Sequence, residues 1–314
     1  MKLTILDGNA LNPGDLSWDC FKKYADVVVY PRTKPEEVVQ RIGTSDCILL
    51  NKVLIDEKVL KQCKNLKYIG VLATGYNVID INAAKSANLC VTYIPAYSTM
   101  AVAQHVFALL AYFTNHFALH NESVKKGDWI SSPDFCYWKR PLIELCGKTL
   151  GILGYGNIGK QTEKIALAYG MNTLVCPHFP SKEIKNCVNQ NELWSNSDII
   201  TLHAPLTKQT FEIINQKSIS QMKDGVYIIN TARGALVNEN DVAKALYSGK
   251  IAGYAADVLC SEPMDKNCAL KDAPNCVLTP HIAWAPYETR KRLLQIALKN
   301  FEMWLQGTPQ NTIY

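Results

Sequence analysis

Two rhythms of apolar and polar positions alternate along this chain. Short runs in which nearly every residue is apolar recur at Leu3–Leu6, Val27–Tyr30, Cys47–Leu50, Tyr68–Val71 and Leu89–Ile94, each bounded by Gly, Pro, Asn or Asp. Such runs read as strands buried on both faces of a parallel sheet, because a half-exposed strand would alternate. Between them lie segments with helical spacing, such as Lys34–Ile42 and Asp56–Cys63. Strand and helix in alternation predict a doubly wound parallel sheet over residues 1–97. Ser98-Thr99 can then cap a long apolar helix reaching Leu119. Gln104, His105, Asn115 and His116 interrupt that helix, which marks it as buried rather than membrane-spanning. From Gly147 the strand rhythm returns at Thr149–Leu153, Thr173–Val175, Asp198–His203, Val226–Asn230, Gly253–Asp257 and Val277–Thr279. A helix over Tyr287–Leu305 closes the chain and is expected to return to the first domain. The pattern therefore predicts an α/β protein with two doubly wound parallel-sheet domains, 1–97 plus 286–314 and 98–285.

The second series opens on a motif that carries chemistry. The apolar run Thr149–Leu153 leads into Gly154-Tyr155-Gly156-Asn157-Ile158-Gly159, and helical spacing follows to Ala168, with Gly170 just beyond as a C-cap. In the G-x-G-x-x-G spacing, the first glycine makes the tight turn. The second lets backbone approach a pyrophosphate, and the third lets helix pack on strand. The helix start then offers unpaired N–H groups to the phosphates. A glycine-rich turn in some other α/β protein is the competing reading; strand, motif and helix in register favour a dinucleotide site and a six-stranded Rossmann domain.

Composition narrows the class without naming a chemistry. The 314 residues suffice for two cores, and 48% hydrophobic with 19% charged residues is ordinary for a globular protein. A net charge of +5 is spread without a basic run, so neither a nucleic acid nor a membrane is an expected partner. The eleven cysteines form no C-x-x-C pair and several sit in apolar strands, so packing in a reducing compartment is expected, with no metal. The start, Met1 to Asp7, is too soon broken by a charge to read as a signal peptide, which points to the cytoplasm. Residues 121–141 are rich in aromatics, among them Trp129, Tyr137 and Trp138; either local packing or a second subunit would cover them.

A redox enzyme acting on an alcohol or carbonyl needs a proton carrier near neutral pH, and histidine suits it best. Of the six histidines, His105, His116 and His120 lie on or just past the long helix, far in sequence from the glycine loop, and His178 falls where an adenosine ribose would sit. His203 and His281 each follow a strand of the second series, where ligands of open α/β sheets bind. His203 has no acid nearby in sequence, whereas Glu262 follows the strand before His281 and could face it. A Glu–His pair favours the imidazolium and keeps a proton available for donation. Arg233 follows a third strand and could clamp a carboxylate bidentately; a structural ion pair is its other reading.

These residues carry a resemblance. Leu153–Gly159, Asn230-Thr231-Ala232-Arg233-Gly234, Asp257-Val258 through Glu262-Pro263, and Thr279-Pro280-His281-Ile282-Ala283 follow the order of signatures in the D-isomer-specific 2-hydroxyacid dehydrogenases, which the chain resembles over nearly its whole length. The resemblance implies a Rossmann dinucleotide-binding domain inserted into a flavodoxin-like substrate domain. It implies Arg233 as substrate clamp, His281 as acid/base and Glu262 as its partner. Asp257 would lie near the nicotinamide, with His203-Ala204-Pro205, Thr210, Thr231, Ala232 and Ala283 also lining the cofactor. Ala73-Thr74-Gly75-Tyr76-Asn77 followed by Asp80 resembles the family's substrate loop, whose backbone N–H groups meet the carboxylate. Residues 6–18 and His281-Ile282-Ala283-Trp284-Ala285-Pro286 resemble the glycerate dehydrogenase (hydroxypyruvate reductase) branch, with Trp284 restricting the pocket to a small 2-oxo acid. Formate dehydrogenases of this fold carry glutamine where Glu262 stands, and many phosphoglycerate dehydrogenases extend beyond the point where this chain ends. A homodimer through the long helix and the aromatic segment is implied as well.

The sequence departs from the family at one position. About 20 residues beyond the glycine loop, an acid that bonds the ribose of NAD is expected. Pro177 stands there, followed by His178, Ser181 and Lys182, which could receive a 2′-phosphate, so the cofactor reads as NAD or NADP. An alternative function of another class is a dinucleotide-sensing interaction protein like the family's corepressors.

Overall fold

The computed structural model describes residues 1–177 and 184–314. The chain divides into two compact units, Met1–Ser98 with Ala285–Tyr314, and Thr99–Trp284. Up to Ser98 run strands β1 (Lys2–Ile5), β2 (Asp26–Val29), β3 (Cys47–Leu50), β4 (Tyr68–Val71) and β5 (Cys90–Thr92), with helices α1 (Val38–Ile42), α2 (Glu57–Gln62) and α3 (Ile81–Ser86). The second unit opens with helices α4 (Thr99–Asn115) and α5 (Phe117–Lys125). Its strands are β6 (Thr149–Leu153), β7 (Asn172–Cys176), β8 (Ile199–Leu202), β9 (Val226–Asn230), β10 (Ile251–Ala256) and β11 (Cys276–Leu278). Helices α6 (Asn157–Ala168), α7 (Gln190–Asn196), α8 (Gln216–Gln221) and α9 (Glu239–Tyr247) lie between them, and α10 (Tyr287–Leu305) closes the first unit.

All strand pairs within the two sheets are parallel. The first sheet runs β2-β1-β3-β4-β5, the flavodoxin-like order, and the second runs β11-β10-β9-β8-β6-β7, which becomes the Rossmann order when the segment at Cys187, bridged in parallel to Val175 of β7, is counted as the outermost strand. The α/β class of two doubly wound sheets is therefore the one the chain adopts. Strand β3 (CILL), β4 (YIGV) and β8 (IITL) are buried at every position, which is why their sequences show no alternation. One face of the second sheet, with Leu150, Ile152, Ile199 and Ala255, packs on Val106, Leu110 and Phe113 of α4 and Ala166 of α6. The other face, with Ile200, Leu202, Ile228 and Ala256, meets Leu193, Ile219, Val242 and Leu246 of α7, α8 and α9. In the first unit, Phe301 of α10 lies edge-on to Tyr68 of β4, with ring centroids 5.3 Å apart.

Two expectations shift for local reasons. The strand expected over Leu89–Ile94 shrinks to β5 because Tyr93 N–H donates to Asn311 O and Ile94 N–H to Ala73 O, taking both out of the ladder. The long helix ends at Asn115, where His116 turns into the left-handed region (φ 47°) and α5 starts afresh. Among the described residues, no helix is long and apolar enough to cross a membrane.

Candidate active site

Strand order fixes where the second unit can hold a ligand. The order reverses between β6 and β8, and crevices outside the carboxyl ends of strands form at such points. The glycine loop leaves β6 there. Gly154 turns with φ 94°, and a Cβ on it would lie 2.4 Å from Ala204 N, so the loop runs against the exit of β8. A Cβ on Gly159 would lie 2.4 Å from Gly154 O, whereas one on Gly156 would meet nothing within 4 Å. The middle glycine thus faces open space where the backbone can be approached. Helix α6 starts at Asn157-Ile158-Gly159 with no side-chain cap, leaving its first N–H groups for an anionic ligand. The Tyr155 hydroxyl donates to Glu163, whose other oxygen accepts from Thr173 (2.9 Å) and Asn186 (2.7 Å), tying the loop to β7.

The chain past β9, β10 and β11 builds the polar side of the site. Buried Asn230 accepts from Ala232 N–H (3.0 Å) and donates to Arg233 O (2.9 Å), which fixes the turn carrying Arg233. The Arg233 side chain is exposed and donates to its neighbour's carbonyl, Ala232 O; among the described residues it has no acidic partner, so the structural ion pair drops out. Gly234 then meets the next loop backbone to backbone: a Cβ there would lie 1.9 Å from Leu259 C and 2.3 Å from Cys260 N. Only glycine allows that approach, which brings the Arg233 turn against the loop holding Glu262. There Glu262 accepts from Leu259 N–H at 3.1 Å and from His281 Nδ1 at 2.7 Å. His281 itself sits in the left-handed region, φ 55°. Asp257, 1% exposed, straps the chain on both sides of it. One Asp257 oxygen accepts from Thr279 Oγ1 (2.5 Å) and Ile282 N–H (2.8 Å), and the other from Ala283 N–H (2.8 Å).

The structure separates the two histidines that the sequence left eligible. His203 Nε2 lies 3.0 Å from Thr201 Oγ1 and 3.4 Å from Thr162 Oγ1, with no carboxylate. Although the residue is only half-buried, desolvation of its ring pushes the imidazole down to about 3, so it is neutral at pH 7. His203 therefore carries no charge and has no carboxylate to hold a second ring proton. The Thr210 hydroxyl donates to Pro205 O (2.6 Å) and accepts from Thr207 N–H (2.8 Å), shaping the turn after β8. Thr231 Oγ1 is buried and has no partner among the described residues, an orphaned hydroxyl that a bound ligand could satisfy. Pro177 follows β7 directly; His178, Ser181 and Lys182 lie outside the described residues. Ala283 is buried and Trp284 half-buried, both just past His281.

In the first unit, Ala73-Thr74-Gly75-Tyr76 leaves the carboxyl end of β4. Thr74 Oγ1 donates to Ile94 O at 2.7 Å, and Tyr76 lies edge-on to Tyr93. Among the described residues no acceptor meets the backbone N–H of Thr74, Gly75 or Tyr76. Asp80 caps α3 through Ala83 N–H. No group of three or more His, Cys, Asp or Glu that could hold a metal occurs among the described residues. Sequence reasoning passed over His105. Its Nε2 lies 3.0 Å from Thr279 Oγ1 and 3.6 Å from Asp257. The one sequence signal was a polar interruption in an otherwise apolar helix.

A doubly wound sheet with a glycine loop at its switch point, and a His–Glu pair beside a free arginine, defines a dinucleotide-dependent oxidoreductase. Residues 107–283 match the NAD-binding domain of the D-isomer specific 2-hydroxyacid dehydrogenases. A hydroxypyruvate reductase of Blautia hydrogenotrophica is 47% identical over 100% of this chain and 99% of its own length. A glycerate dehydrogenase of Methylorubrum extorquens is 39% identical, covering 89% and 88%. The solved structure of a D-lactate dehydrogenase from Aquifex aeolicus, complexed with NAD and lactic acid, superposes with a TM-score of 0.82 at 29% identity, covering 98% of this chain and 96% of that one. The chain belongs to the D-isomer-specific 2-hydroxyacid dehydrogenase family. Within it, the chain falls with the glycerate dehydrogenase and hydroxypyruvate reductase branch, and it is an oxidoreductase acting on CH–OH groups.

Proposed function

We propose that this chain reduces a small 2-oxo acid, hydroxypyruvate or glyoxylate, to D-glycerate or glycolate. The observation that carries the reading is the 2.7 Å His281–Glu262 bond in a loop packed against the turn of Arg233, which has no acidic partner among the described residues. Open space over Gly156, the uncapped start of α6 and the orphaned Thr231 hydroxyl fit a nicotinamide dinucleotide. The glycine loop would hold its phosphates, and Asp257, Ala204, Pro205, Ala232 and Ala283 would line it. When bound, the reduced nicotinamide supplies the hydride that C2 of the substrate receives.

The chain's own residues then supply a proton and an orientation. Glu262 takes the Nδ1 hydrogen bond, which fixes the ring and leaves Nε2 of His281 to face the substrate. As the carbonyl becomes an alcohol, Nε2 gives its proton to the oxygen and the ring ends neutral, still donating from Nδ1 to Glu262. Arg233 holds the substrate carboxylate through two parallel N–H bonds, which fixes the face of C2 that is presented. In line with the family resemblance, we assign a substrate-contacting role to the free N–H groups of Thr74, Gly75 and Tyr76, and to Trp284 the exclusion of larger side chains. With Pro177 where an acid would reject a 2′-phosphate, NADPH is accepted alongside NADH. We further infer a homodimer, since Ile130, Phe135 and Trp138 are 91%, 89% and 66% exposed in the single chain.

Initial rates with hydroxypyruvate, glyoxylate and pyruvate, each with NADH and NADPH, test the reading. Turnover of hydroxypyruvate with both cofactors is expected, with kcat/KM values within about tenfold of each other. No turnover of any 2-oxo acid, with the dinucleotide still bound, would favour the interaction-protein alternative.

A further inference from the structure

The chain of hydrogen bonds running from α4 to the catalytic turn has a fixed direction. Thr279 Oγ1 lies 2.5 Å from Asp257 Oδ1, and a carboxylate only accepts, so the single hydroxyl hydrogen points at Asp257. Toward His105, 3.0 Å away, the same oxygen can then only accept. His105 Nε2 must therefore carry a hydrogen and donate it. The order is His105 to Thr279 to Asp257, and Asp257 in turn receives Ile282 and Ala283 N–H.

His281 stands inside this strap. It follows Thr279 by two residues, donates its own N–H to Thr279 O at 2.9 Å, and is followed at once by Ile282 and Ala283. Its left-handed backbone, φ 55°, is disfavoured for a side chain with a Cβ and persists only where its surroundings over-determine it. Asp257 supplies those surroundings by holding both flanks. Remove the donor on α4, and the Thr279 oxygen loses its second anchor; the side chain can then turn about χ1 and carry its hydrogen off Asp257. The turn would loosen on one side only, and the His281 ring would drift from the position that Glu262 and the substrate require.

We propose that His105 is a positioning residue for His281, acting through Thr279 and Asp257. The proposal rests on the reading of His281 as the acid/base. A leucine at 105 keeps the bulk and removes the donor; a glutamine keeps an N–H at similar reach. His105→Leu is expected to lower kcat about 10- to 100-fold, the usual effect of a catalytic group displaced by under an ångström, with the KM for NADH little changed. His105→Gln should restore most of that loss. Thr279→Val should lose a similar factor, and adding His105→Leu to it should cost less than about threefold more, because one relay is already cut. Leucine and glutamine variants with equal kcat, or losses that multiply in the double variant, would overturn the proposal. So would a kcat loss that merely follows the melting temperature.

A readout without substrate or cofactor separates this inference from the proposed function. In the 15N-labelled protein, long-range proton–nitrogen correlations report which ring nitrogen of His105 is protonated. A protonated Nε2 is expected, shifting in Thr279→Val; a bare Nε2 in the folded wild-type protein overturns the relay. If wild-type protein reduces no 2-oxo acid, the functional reading falls while the tautomer still decides the relay.

Discussion

Glu262→Gln alters a single atom of the catalytic pair and reverses a hydrogen bond. Glutamine keeps the volume and can still accept from Leu259 N–H through Oε1, the bond that now measures 3.1 Å. At the other position an NH2 group replaces the oxygen 2.7 Å from His281 Nδ1. A donor facing a donor forces Nδ1 to give up its hydrogen, so the ring holds its one proton on Nε2 and accepts at Nδ1. Such a ring cannot pass that proton on without becoming an imidazolate. The charge is lost as well. Unit charges at 2.7 Å attract by about 6 kcal/mol at an effective dielectric of 20 and by about 1.5 kcal/mol in bulk water. The two side chains are 32% and 38% exposed, which places the pair toward the screened end, at about 2–3 kcal/mol. That range corresponds to about 30- to 150-fold in kcat for 2-oxo acid reduction. Initial rates at saturating hydroxypyruvate and NADH measure it, with thermal unfolding as the control. A glutamine variant within about threefold of wild-type kcat, with its melting temperature unchanged, would refute the reasoning.

Other changes test other parts of the site. Arg233→Ala should lower kcat/KM for the 2-oxo acid about 100-fold through two lost charge-assisted bonds, and leave the melting temperature alone because Arg233 has no acidic partner among the described residues. Equal kcat/KM in the alanine variant would show that the guanidinium holds nothing. Gly234→Ala should destabilise by about 3 kcal/mol or fail to fold, since its Cβ would sit 1.9 Å from Leu259 C; urea unfolding measures this, and a neutral change contradicts the close approach. His203 binds its proton at about 3 in the fold and near 6.5 when unfolded. The stability this contributes is complete above the unfolded value and is lost as pH falls toward 3, about 2 kcal/mol between pH 7 and 5. Urea unfolding of wild type and His203→Asn at both pH values should differ by that amount, and parallel pH dependences would contradict it. Light scattering should find a dimer that Trp138→Asp weakens; a wild-type monomer at micromolar concentration would remove that inference.

What could be read from the chain alone followed the range of its signals. Strands β6 and β9 and helix α10 were bounded residue for residue, since apolar runs and helical spacing are local properties. The glycine loop was legible for the same reason: its three glycines each answer a constraint within the same strand–turn–helix unit or just beyond it. Glu262 and His281 could be named because both follow strands of one sheet, but their contact at 2.7 Å depends on a register the sequence does not display. Gly234 looked like any turn glycine until the backbone of Leu259 and Cys260 was placed over it. His105 carries no signal of its contact because its partner Thr279 lies 174 residues away in sequence. Helix α4 crosses beneath β9 and β10, which carries residue 105 to residue 279. The break at His116 was marked only by the polar pair Asn115-His116, which reads as an interruption within one helix because apolar residues at helical spacing continue past it.

The central claim is that His281 moves the proton. The most direct measurement is the initial rate of hydroxypyruvate reduction by wild-type protein and by His281→Ala, with folding checked by circular dichroism and dinucleotide binding by NADH fluorescence. The account predicts efficient wild-type turnover and a loss of about 100- to 10,000-fold in the folded, dinucleotide-binding variant. Near-wild-type turnover by that variant would contradict it.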